Sequence, residues 1–199
     1  MLPIDLLARE SATLYQRFQK LPPADRKKKG TKETIKREVR RQTIQEWVAR
    51  LQEPAHGRWT LRLVHDLDAW LSRRHGELTY HLTQMLTGHG CFNGYLNRWN
   101  KVPSQCSHCP AEVDDAQHTI FCCTAWNDAR AALEASVGSH ITPETMVEVM
   151  LASPQNWAAM IQFAGTVMRT KEEAERVRQR TASAQLTQST QQVLSDDSP

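Results

Sequence analysis

Four residues in one short stretch have the types and spacing to hold a metal ion: Cys106, Cys109, His118 and Cys123. Cys106-Ser-His-Cys109 is a C-x2-C pair, a tight knuckle that lets two thiolates reach one ion from one loop. Eight residues separate Cys109 from His118 and four separate His118 from Cys123, so a helical turn and its end can bring the second pair to the same point. Three thiolates and one imidazole fill a tetrahedral zinc site and leave no open position, which makes it structural rather than catalytic. Four of the five cysteines fall within 18 residues, too tight a cluster to attribute to chance. The last ligand stays open on spacing alone. The four-residue gap favours Cys123, with Cys122 then a packed or partly exposed thiol. His108, wedged between two ligands, and Cys91, suited to a small core position, are read as non-ligands. Structural zinc contributes about 10–16 kcal/mol in finger peptides, so loss of the ion should melt this region. The site carries a charge of about −1, for which Lys101 or Arg98 would be a favourable neighbour.

Asp114-Asp115 is the one paired carboxylate that invites a catalytic reading. Its position just before His118 argues for capping instead. Asp115 can accept backbone N–H bonds at the start of the turn that carries the ligand. No Gly-rich phosphate loop, nucleophile elbow or His-Glu-x-x-His pattern is present.

The elements that must position these residues read as helices throughout. Ile4 to Lys20 is helical, with Leu7, Leu14, Tyr15 and Phe18 roughly on one side, and Pro22-Pro23 ends it. Residues 31–53 form a long helix with Ile35, Val39, Trp47, Val48 and Leu51 at three- and four-residue steps. Residues 58–74 form another, around Leu61, Val64, Leu67, Trp70 and Leu71. Residues 77–87 follow, then a tight Gly88-His89-Gly90 turn, then a short piece around Phe92 and Tyr95. After Cys123 come Trp126 to Val137, a helix opened by Pro143, and one opened by Pro154 that carries Trp157, Met160, Phe163 and Val167. No sustained alternation appears, so strands should be scarce. The expected architecture is a mainly α, small helical bundle with a Cys-Cys-His-Cys zinc knuckle and a tail, 181–199, without order. Five segments are read: 1–56, 57–101, 102–127 (the knuckle), 128–180 and 181–199.

Charge is divided unevenly along the chain. Residues 1–101 hold 19 Lys and Arg against 10 Asp and Glu; residues 102–199 hold 6 against 12. A basic first half suggests a polyanionic partner, RNA or DNA. The residues best placed to meet phosphates are Arg26, Lys27, Lys28, Lys29, Lys32, Lys36, Arg37, Arg40 and Arg41. No run reaches the ~20 apolar residues of a membrane span, and the N-terminus lacks the basic-then-apolar order of a signal peptide. An intracellular, reducing compartment is expected, where cysteines serve as metal ligands or free thiols.

Several motifs together resemble a known family. They are Gly57-Arg-Trp-Thr60, His65-Asp-Leu-Asp-Ala-Trp70, Gly76-Glu-Leu-Thr-Tyr-His-Leu-Thr-Gln84, Leu86-Thr-Gly-His-Gly-Cys-Phe92, and the Cys-x2-Cys-x8-His-Thr-Ile-Phe-Cys-Cys-x2-Trp126 segment. They are similar to the region downstream of the polymerase in non-LTR (LINE-type) retrotransposon reverse transcriptases, most of all the R-one type that inserts into ribosomal RNA genes. The resemblance covers roughly residues 3–180 and implies Cys123 as the fourth ligand. It also implies a nuclear location and a role in gripping template RNA or target DNA during target-primed reverse transcription. The chain departs from the full pattern: it has no Tyr/Phe-x-Asp-Asp palm segment and no endonuclease. The expected function is therefore a non-catalytic, nucleic-acid-binding fragment with structural Zn2+ and no small-molecule substrate. The alternative is a zinc-stabilised scaffold that packs on the polymerase domain of the parent protein, with Met150, Trp157 and Phe163 exposed for that contact.

Overall fold

The computed structural model describes residues 2–52, 57–99 and 101–196, with side chains described as far as Gln185. Every element is helical; there is no strand among the described residues. The chain divides into two compact units, Met1–Arg73 and Arg74–Pro199.

The first unit is built on a helical hairpin. α1 (Ile4–Lys20) and α3 (Thr31–Gln52) run antiparallel, joined through the single turn α2 (Pro23–Arg26). Leu6, Val39 and Ile44 are buried in this unit. Leu6 takes the place expected of Leu7, and Tyr15 stands out in solvent at 67% exposure. Trp47 is half-buried. Charge laces the seam: Arg9 pairs with Glu46, Arg17 with Glu38, Arg40 with Glu10 and Arg50 with Asp5. The Arg50 guanidinium holds the Asp5 carboxyl below its ordinary value.

The expected single helix over 58–74 is two helices, α4 (Arg58–Leu63) and α5 (Leu67–Ser72). Asp66 breaks the run. Its carboxylate accepts the Ala69 N–H at 2.9 Å and restarts the chain as an N-cap, which competes with continuing the helix.

The second unit consists of α6 (Tyr80–Thr87), α7 (Asn93–Asn97), the knuckle, α8 (Asn127–Val137), α9 (Met146–Ala152) and α10 (Pro154–Asp196). Its core is rich in methionine: Met85, Met146, Met150, Met160 and Met168 are fully buried, beside Leu82, Trp157, Phe163 and Val167. Unbranched thioethers fill the irregular gaps where short helices meet a long one. Met150, Trp157 and Phe163, expected at an exposed docking face, are interior residues. The Trp157 indole N–H donates to the Glu77 carbonyl at 3.0 Å. Gly76, at φ +85°, lies so close to that indole that a Cβ would fall 2.2 Å from it. The helix expected to open at Pro143 begins at Met146 instead. Thr142 and Thr145 exchange side-chain and backbone hydrogen bonds and hold the preceding turn outside the helix.

α10 continues beyond the core. Its backbone is helical to Asp196, through residues expected to lack order, but the described side chains at 181–185 are all exposed and bury nothing. Residues 197–199 of that tail lie outside the described residues.

Candidate metal centre

The knuckle loop closes on itself. The Cys106 N–H donates to the Ala111 carbonyl at 2.9 Å, and the His108 N–H points at Cys106 Sγ at 3.4 Å. That turn sets Cys106 and Cys109 side by side. The second pair comes from a single π-helical turn, His118–Cys122. The Cys123 N–H donates to the His118 carbonyl at 2.8 Å, an i→i+5 bond that brings residues five apart onto one side of the turn. Asp115 accepts the His118 N–H at 2.7 Å, the capping role expected of it.

The four ligand atoms of Cys106, Cys109, His118 and Cys123 lie within 4.8 Å of one another. Cys106 Sγ and Cys123 Sγ are 3.9 Å apart, and Cys109 Sγ is 3.2 Å from His118 Nε2. Zn–S bonds of about 2.3 Å place the sulfurs of a tetrahedral site roughly 3.8 Å apart, so the residues present fit such an ion. The cysteines are free, and a sulfur separation of 3.9 Å is no disulfide. Burial pushes the Cys123 thiol up to about 12 and raises Cys106 as well. For Cys109 burial also acts upward, but the Ala111 N–H and the neighbouring Cys123 and Cys106 outweigh it and lower the thiol. The buried sulfurs of Cys106 and Cys123 would ionise more readily opposite a cation, which is what a bound metal would supply.

Cys122 is exposed and is not a member of the cluster. The His108 ring lies tilted at 52° against Trp126 with ring centroids 4.9 Å apart, and burial lowers its imidazole pKa. Cys91 is half-buried, and burial raises its thiol.

The positive charge beside the ligands comes from a residue that sequence reasoning missed. Arg130, buried on α8, donates to the Ile120 carbonyl at 2.7 Å, the Cys123 carbonyl at 2.8 Å and Asn127 Oδ1 at 2.8 Å. Arg98, one of the two cations expected there, lies over the Tyr95 ring. Asp114 differs from its neighbour Asp115: it is 1% exposed and ion-paired with Lys171 of α10 at 2.7 Å. The sequence does carry a sign of this. Lys171 continues the buried three- and four-residue stripe Ala164, Val167 and Met168, where an unpaired ammonium would be costly.

With this geometry in place, one comparison with known proteins bears on the ancestry. The chain has a distant retrotransposon relative. It is 24% identical over 151 residues to the Retrovirus-related Pol polyprotein from type-1 retrotransposable element R1 4 of Nasonia vitripennis. The match takes in 75% of this chain and 38% of that protein, so the chain spans well under half of the relative's length. No family model matches the chain, and no solved structure matches it.

The proposed basic residues all lie in the first unit, and they divide into two groups. Arg26 is half-buried, its guanidinium donating to the Leu21 carbonyl at 2.9 Å and to the Gln19 carbonyl, so it serves the end of α1. Lys28 pairs with Asp25, and Arg40 with Glu10. Lys27, Lys29, Lys32, Lys36, Arg37 and Arg41 are exposed and make no ion pair with another described residue. None of the described helices is long and apolar enough to cross a membrane.

Proposed function

We propose that this chain is a nucleic-acid-binding, non-catalytic segment derived from a non-LTR retrotransposon Pol protein of the R-one type, with a zinc ion at Cys106, Cys109, His118 and Cys123. The observation that carries the nucleic-acid reading is the set of uncommitted cations between the end of α2 and the middle of α3, Lys27, Lys29, Lys32, Lys36, Arg37 and Arg41. Exposed Lys and Arg without acidic partners are free to neutralise phosphates and release counterions. The ancestry is supported by the likeness to the R1 Pol polyprotein. The zinc is supported by the four-atom cluster and its sulfur spacing. The non-catalytic reading rests on the commitments of the two aspartates, one to a cap and one to a buried lysine. In the parent protein such a segment grips RNA or DNA while the polymerase acts, and its place of work is the nucleus.

Salt titration of binding to a labelled RNA and a labelled DNA tests this reading. The logarithm of affinity should fall linearly with the logarithm of salt, with a slope of about −0.9 per phosphate contact on duplex DNA. Lys32→Glu with Lys36→Glu should flatten the slope. Absence of binding at low salt, or affinity indifferent to salt, overturns it. The scaffold alternative, in which the chain packs on a polymerase domain, loses Met150, Trp157 and Phe163 as its contact surface, since all three are interior.

A further inference from the structure

The carboxylate of Asp114 is the meeting point of three elements. Both of its oxygens lie 2.7 Å from Lys171 Nζ. One also accepts the Thr119 hydroxyl at 2.9 Å, and the other accepts the Asn93 N–H at 2.9 Å. Its backbone is held as tightly. The Asp114 N–H donates to the Ser104 carbonyl, and its carbonyl accepts the Gly94 N–H, both at 2.9 Å. A Cβ at Gly94 would press within 3.1 Å of that carbonyl. The pair is out of water, with 2% and 1% of the Lys171 and Asp114 side chains exposed.

The partners of this network flank the metal ligands. Thr119 adjoins His118. The Asn93 side-chain amide donates to the Gln105 carbonyl at 2.5 Å and to Ser107 Oγ at 2.9 Å, the two residues on either side of Cys106. One heptad beyond Lys171, Arg178 donates to the same Ser107 hydroxyl at 2.8 Å and to Asn93 Oδ1 at 3.3 Å. Two cations on one face of α10 therefore grip the loop on the side of Cys106 and on the side of His118. No ligand is touched directly.

We propose that Lys171 and Asp114 are positioning residues for the metal knuckle, so that metal binding and the docking of α10 over residues 171–178 form one coupled equilibrium. This inference rests on the reading of Cys106, Cys109, His118 and Cys123 as a zinc site. The physical reason is the cost of an unmatched buried charge. Asp114 sits in the loop between Cys109 and His118, and the ion fixes both ends of that loop. When the ion leaves, the loop no longer holds the carboxylate against the ammonium. Lys171 then carries an unpaired charge on a buried stripe, and that stretch of α10 leaves its seat. Coupling free energies are reciprocal, so weakening the pair must weaken the metal.

The experiment uses the full chain, with Zn2+ or Co2+ added alone and affinity read by chelator competition and by the cobalt absorption spectrum. Lys171→Met and Asp114→Asn should each lower affinity about 10–100-fold, the range for residues that orient ligands from behind, and the double variant should lose no more than either single one. Val167→Ala destabilises the same turn without entering the network and should leave affinity within about twofold. Equal losses for all three single variants would reduce the pair to general stability and overturn the proposal. Unchanged affinity in Lys171→Met and Asp114→Asn overturns it too. Should those variants fail to fold, hydrogen exchange on the wild-type chain decides: stripping the metal should expose amides 171–178 while α9 stays protected. Protection of 171–178 that survives stripping sinks the proposal. A wild-type chain that takes up neither metal overturns the zinc reading itself, a distinct result.

Discussion

The two units are both helical, yet different forces hold them. The first is a hairpin whose seam is lined with exposed ion pairs around a few buried residues such as Leu6, Val39 and Ile44. The second has a methionine-rich core, a buried Lys–Asp pair and a cluster of cysteine and histidine side chains that could hold a metal ion. Exposed pairs contribute little and weaken with salt, whereas buried groups are all-or-none. The comparison therefore separates a unit that can keep cations available from a unit whose polar groups are spent inside it. It also explains how a chain of modest net charge can offer a strongly basic surface in one place.

Metal removal should break the symmetry most. Treating the full chain with a strong chelator should melt the knuckle, residues 102–127, and release the stretch of α10 docked on it, since structural zinc contributes about 10–16 kcal/mol in finger peptides. The first unit should be unmoved. Far-UV circular dichroism with residue-resolved hydrogen exchange would read both, and equal loss in both units would refute the division.

Next in size is Arg130→Met. It leaves the Ile120 and Cys123 carbonyls without their donor, at about 1–3 kcal/mol for each buried group left unsatisfied. Denaturant unfolding of the metal-loaded protein should register the loss, accompanied by weaker metal affinity. Gly76→Ala should follow. A left-handed backbone costs about 1–3 kcal/mol for a residue other than glycine, and here the new methyl also meets the Trp157 ring. Trp157 fluorescence reports the displaced indole as well as the lower midpoint.

The smallest effect belongs to the first unit. Arg17→Ala removes an exposed pair with Glu38 and should change stability by less than about 1 kcal/mol, an effect that vanishes at high salt. A loss several times larger would mean that the hairpin depends on its charges more than its exposure suggests.

How much of this was legible in the chain follows from how local each feature is. The two arms of the knuckle are sequence-local, and so the gathering of Cys106, Cys109, His118 and Cys123, the Asp115 cap and the Pro154 helix start could be read directly. The long α3 helix announced itself through repeated apolar spacing. The break at Asp66 was hidden because the run 58–74 keeps a helical period on both sides of it. The roles of Arg130 and Lys171 depend on which helices meet, which no spacing within one segment encodes. The basic stretch was visible as composition, but Arg26 belongs to a helix end because of where α2 turns, a tertiary fact. The tail has few large apolar residues, and its side chains over 181–185 are exposed, yet its backbone continues the helix that the core began.

The π-helical turn at His118 has a genealogical consequence. In an ordinary α turn the residue four positions after the histidine would share its face, and that residue is Cys122. One extra residue of winding passes the place to Cys123. The adjacent cysteines are thus two registers of one turn, and backbone winding, not sulfur chemistry, chooses between them. A descendant that lost a single residue from 119–121 would revert to α winding and keep its site, whereas a descendant that merely exchanged Cys123 for serine would have an intact neighbour one step out of reach.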